Sequence, residues 1–144
     1  PLCPSPPLRP SPLLHPQLQP RNILFDMSVH PSDIEPTTLP LCAEHMSWAV
    51  TSILSLIDQS DYNRPITYHF KGTDYDIKEL LSSSKYKDMS ALNKNLLLLS
   101  MLCFIHAKIA LKPGMEQICK RVTYHCMSLS SFILLILFYI IYVR

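Results

Sequence analysis

Eleven of the chain's 13 prolines fall within its first 40 residues, and this clustering decides where a fold can begin. Proline has no amide proton to donate and its ring fixes φ, so PLCPSPPLRPSPLLHPQLQP builds neither a helix nor a central strand. Residues 1–39 are therefore expected to form a disordered or polyproline-like head. Within it, Pro4, Pro7 and Arg9 follow the P-x-x-P-x-basic pattern read by Src-homology-3 domains. There two prolines enter aromatic grooves and the arginine meets an acidic rim, so these three are candidate contacts for a protein partner. Any proline-rich stretch generates such matches, and a plain disordered tail explains the same residues. Ser5-Pro6 and Ser11-Pro12 are candidate sites of proline-directed phosphorylation.

The other end of the chain has the opposite character. From Val122 to Val143 there is no Asp, Glu, Lys or Arg. Between the two regions roughly 85 residues remain, enough for one small domain that buries a modest share of its surface. The organisation expected is a head over 1–39, a small helical domain over 40–126, and a hydrophobic C-terminal segment over 127–143.

Hydrophobic spacing fills in the middle. Met46, Val50, Ile53 and Ile57 recur at helical intervals, widened by Trp48, Ala49, Leu54 and Leu56, which predicts a helix over 40–58. Pro40 suits a first turn, and Glu44 suits the positive end of the helix dipole. Ile66–Phe70 is β-branched and aromatic and precedes Lys71-Gly72, so a short hairpin with 73–75 is expected. Asp74 or Asp76 then caps a short helix with Ile77, Leu80 and Leu81 inward. Ser82–Ser84 with Lys85 and Lys87 reads as a polar loop.

Ser90 is a candidate N-cap for the longest helix, over 91–112, whose centre is apolar nearly all round. The uninterrupted apolar run there, about ten residues, is half of what a bilayer needs, so a buried core helix is expected. Leu97, Met101, Phe104 and Ile105 are its expected core residues, and Pro113-Gly114 its stop. Met115, Ile118, Cys119, Val122 and Cys126 repeat at helical spacing and predict a further helix over 115–126, free to continue into the tail. The fold class is thus mainly α: a bundle of three to four helices with a short β-hairpin and a hydrophobic C-terminal helix. A slice of a helical-repeat protein has the same appearance, although the chain shows no internal self-similarity.

Composition narrows the function. Two glycines are too few for an all-β design or for a phosphate-binding loop. A formal charge of +2, with both signs interspersed, argues against a nucleic-acid partner. Five cysteines without a repeating spacing, and no Asn-x-Ser/Thr acceptor, point to reduced thiols in the cytosol. The chain begins at Pro1 rather than methionine, as a trimmed product or a fragment would.

The best metal-ligand candidates are Cys103 and His106, at i and i+3, with Cys119 and His125 or Cys126. Their spacing matches no standard zinc module, and buried thiols with a helix-end histidine account for them equally well. No nucleophile elbow or cysteine-protease signature occurs, and nothing selects a pair among Asp58, Asp61, Asp74 and Asp76. His45 and Trp48, at i and i+3, are expected to stack at a core rim. The expectation is a non-enzymatic chain without cofactor or metal.

The segment 127–143 is the feature with a functional implication. Its 17 residues make a helix of about 25 Å, and extending back to Tyr124 reaches the roughly 30 Å of a bilayer core. Phe132, Leu135, Ile136, Phe138, Tyr139 and Tyr142 are the expected lipid contacts, the tyrosines near the far interface. Lys112, Lys120 and Arg121 precede the segment and Arg144 follows, which places the N-terminal bulk in the cytosol. A short span suits a thin membrane such as the endoplasmic reticulum. Cys126, just before it, is a candidate for lipidation. The function expected is a helical interaction or adaptor module tethered to a membrane. The alternative is a fragment or alternative product of a larger soluble helical protein, cytoplasmic, with an unrelated hydrophobic tail.

Overall fold

A computed structural model describes residues 38–143 apart from Asn63. The proline-rich head, with Pro4, Pro7 and Arg9, lies outside the described residues. Among those described, the chain is mainly helical, with five helices and one two-stranded antiparallel sheet.

Helix α1 spans Leu39–Asp58, with Pro40 in its first turn. Met46, Val50, Ile53 and Ile57 are buried together with Cys42, Ala49 and Leu54, so the predicted stripe is the core face. Trp48 is the exception. It is 62% exposed, because its position falls off that stripe, and it does not pack on His45. Glu44 is exposed beyond the first turn, which holds no acidic residue.

Strands β1 (Thr67–Phe70) and β2 (Thr73–Asp76) pair with Thr67 opposite Asp76 and Phe70 opposite Thr73. Lys71 and Gly72 both adopt positive φ, 49° and 81°, the conformation that matches the twist of a two-residue hairpin. Glycine reaches it freely, and lysine accepts it at an exposed tip. Asp76 then caps α2 (Ile77–Ser82), its Oδ1 accepting from the Lys78 amide at 2.9 Å and the Glu79 amide at 3.3 Å. The expected polar loop is instead partly helical. A four-residue turn, α3 (Ser84–Lys87), buries Tyr86 in the core while its two lysines stay exposed. One aromatic ring is enough to draw this otherwise polar stretch onto the bundle.

Helix α4 spans Ala91–Ile109, and Ser90 Oγ accepts from the Asn93 amide at 3.2 Å as its cap. It stops three residues short of Lys112. Leu111 turns to φ 64° and Pro113 disfavours helix at the residue before it. Helix α5 then runs unbroken over Glu116–Tyr142, so the predicted 115–126 helix and the hydrophobic segment form one rod. Its 27 residues make it about 40 Å long.

Helix α4 packs against both α1 and α5, and these three helices enclose the main core. Leu98, Met101, Leu102, Ile105 and Ile109 are fully buried on α4. Leu97 is buried as expected, but Phe104 is only half-buried. Its ring lies edge-on to Tyr68 at 5.8 Å, beneath the hairpin, with the Lys108 ammonium 5.3 Å from its centre. Tyr68 also meets Ser100 through its hydroxyl at 2.7 Å. The hairpin thus closes one flank of α4, at the rim of the core.

Buried at the other end of α4 is Asn95. Its Nδ2 donates to the Leu39 carbonyl of α1 at 3.1 Å and to the Ala91 carbonyl at 2.8 Å. A buried amide is costly unless bonded, and here the donor side is satisfied by two carbonyls.

Candidate functional site

The feature that sets this chain apart is how incompletely α5 is covered. Val122, Leu129, Phe132, Ile133 and Ile136 lie along one side of the rod and complete the core against α1 and α4. Phe132 is 6% exposed and Ile136 1%. On the remaining circumference Tyr124, Met127, Leu134, Leu135, Leu137, Phe138, Ile141 and Tyr142 are exposed. Leu135 is 60% exposed and Phe138 58%. The Phe138 and Tyr142 rings pack on each other at 4.6 Å, one turn apart, which consolidates the surface.

The residues expected to meet lipid are therefore divided by the fold. Phe132 and Ile136 face the bundle; Leu135, Phe138 and Tyr142 face outward; Tyr139 is half-buried between them. No Asp, Glu, Lys or Arg interrupts the outward group over 122–143. Covering such a surface would be favourable, because each Å² of it left in water costs about 25 cal/mol. Helices α4 and α5 are both long and apolar enough to cross a membrane.

Cys126, the candidate lipidation residue, is half-buried at the junction between the charged and uncharged parts of α5. Its sulfur lies 3.9 Å from that of Cys103 on α4. The rest of the proposed metal constellation does not assemble: among the described residues no three of His, Cys, Asp or Glu converge. His125 instead faces His45 of α1, ring centres 6.4 Å apart, and the Nδ1 of each is buried without a hydrogen-bond partner. Cys42 is enclosed in the core at 1% exposure, out of reach of solvent reagents, and burial pushes its thiol up to about 12; it is a packing residue.

An open cleft under the α4–α5 turn is lined by Ile109, Leu111, Met115, Cys119 and Lys120 among others. It is mainly apolar, and no set of polar groups converges in it to orient a substrate. The Cys103–Cys126 and His45–His125 pairs could not be read from spacing, since they join different helices. Asn95, buried between α4 and α1, was not singled out by the sequence. No family model, curated protein or solved structure matches the chain.

Proposed function

We propose that this chain is a helical interaction module attached to a membrane through residues 127–143, with its helical bulk on the cytosolic side. The observation that carries the reading is the outward face of α5, apolar and uncharged from Met127 to Val143 and uncovered by the other described residues. Lipid covers such a face without any further protein. Lys112 in the turn before the rod and Lys120 and Arg121 in its first part favour retention on the cytosolic side, and the modest length of the segment suits the endoplasmic reticulum. The reading is of a non-enzymatic adaptor that presents its bundle to a protein partner.

Fractionation of the full chain tests this directly. Membrane association that survives a carbonate wash is the expected result, with protease added outside intact microsomes degrading the bundle. Recovery of the chain in the soluble fraction overturns the reading.

A second reading draws on the inward face. Leu129, Phe132, Ile133 and Ile136 are core residues of the bundle, as in a soluble protein. On this view the chain is a piece of a larger helical protein, and a further helix covers the outward face of α5. A soluble chain that self-associates through Leu135 and Phe138 is the outcome that favours it.

A further inference from the structure

We infer that Cys103 and Cys126 form a reversible redox site, a dithiol that a hydroperoxide oxidises to a disulfide joining α4 to α5. The two cysteines are 23 positions apart in sequence, yet the packing of the helices brings their sulfurs to 3.9 Å. A disulfide requires about 2.05 Å, so the sulfurs must approach by somewhat under 2 Å. Their surroundings differ in a way that assigns roles. Cys103 is exposed and meets an oxidant in solution first; Cys126 is half-buried behind it and is placed to resolve the product.

The Cys103 thiolate attacks one oxygen of hydrogen peroxide, the O–O bond breaks, and hydroxide leaves with the proton that the thiol gave up, as water. Cys103 is now a sulfenic acid. The Cys126 sulfur attacks the Cys103 sulfur; the S–S bond forms, the S–O bond breaks, and the departing hydroxide takes the Cys126 proton as a second water. Two thiols lose two electrons, and one peroxide is reduced to two waters.

The other described cysteines are poorly placed to compete. Cys42 is enclosed in the core, and Cys119 sits by the cleft under the α4–α5 turn. A disulfide at 126 would fasten α5 to α4 immediately before its uncharged stretch. It would also remove the sulfur that a lipid-transfer reaction needs, so oxidation and acylation of Cys126 exclude each other. Closure of the disulfide itself does not depend on the membrane reading.

The test is thiol mapping on the full chain in mild detergent, reduced, exposed to hydrogen peroxide, then capped with N-ethylmaleimide. Trypsin cuts at Lys94, Lys108, Lys120 and Arg121, which leaves Cys103, Cys119 and Cys126 on separate peptides. The expected result is loss of two free thiols and a crosslink between peptides 95–108 and 122–144. Dithiothreitol should reverse it, Cys103→Ser or Cys126→Ser should abolish it, and Cys119→Ser should keep it. In guanidinium the crosslink should form roughly ten-fold more slowly or worse, because the fold no longer holds the sulfurs together. Capping of both thiols after peroxide, a crosslink from Cys103 to Cys119, or an undiminished rate in guanidinium would each overturn the inference.

Discussion

Helices α4 and α5 are alike in composition and unlike in surroundings. Both are long and apolar enough to cross a membrane. α4 sits between α1 and α5, with the hairpin on its flank, and Leu96 is its one large apolar side chain that is substantially exposed. Among the described residues α5 has neighbours along one side only, and eight large apolar or aromatic side chains from Tyr124 to Tyr142 face outward. Apolar content alone cannot tell a core helix from a membrane helix. What tells them apart is whether the fold supplies partners for the whole circumference.

Substitutions on the two faces of α5 are the sharpest way to break this contrast. Arginine at Leu135 and Phe138 together should release the chain from membranes, since each charge at mid-bilayer costs about 2.5–3.5 kcal/mol. Both positions already face outward, so the helical circular dichroism should be unchanged. Membrane pelleting that persists in this double variant removes the outward face from the mechanism.

Truncation of the inward face comes next in size. Leu102→Ala on α4 should cost about 2–5 kcal/mol in denaturant unfolding, and Ile136→Ala on α5 a comparable amount. Phe104→Ala should cost less than either, because the ring is only half-buried under the hairpin. A full loss at Leu102 with none at Ile136 would mean that the end of α5 does not share the core.

Cys42 contributes a pH signature from α1. Its thiol is pushed from an ordinary 9.0 up to about 12 in the folded chain, so the unfolded state loses that proton first. Stability should fall as pH rises from about 9 to about 12, with a contribution of up to roughly 1.4 kcal/mol per pH unit. Cys42→Ala should make this part of the stability–pH curve less steep than in wild type. Identical slopes in the two proteins would place the thiol in water. The smallest effect belongs to the hairpin side: Asp76→Ala removes the α2 cap and should lower stability by about 1 kcal/mol in thermal unfolding.

Much of this architecture was legible because it is local. The 3.6-residue stripes of α1 and α4, the Ser90 cap and the hairpin depend on near neighbours in sequence, and these were readable. Tyr86 was missed because its short helix forms only where a core accepts the ring. Phe104 and Trp48 were read as inward since apolar type was weighed above position on the helix. The division of the C-terminal segment into two faces was hidden for a related reason. Every side of that stretch is apolar, so periodicity carries no information about which side meets the bundle. The thiol and histidine pairs join separate helices, and only three-dimensional packing reveals them.

Asn95 bears on a hazard that leucine-rich helices share. A face built from Leu97, Leu98, Met101, Leu102 and Ile105 is nearly self-similar under a slide of one turn, about 5.4 Å, so apolar packing by itself leaves several alignments of α1 along α4 close in energy. The amide breaks that degeneracy like a single tooth on a smooth rail. In one alignment its Nδ2 meets the Leu39 carbonyl at 3.1 Å; a turn away, an interhelical donor would be buried without that acceptor, at about 1–3 kcal/mol. The Nδ2–Leu39 bond thereby adds a directional contribution that favours the observed alignment over one displaced by a turn.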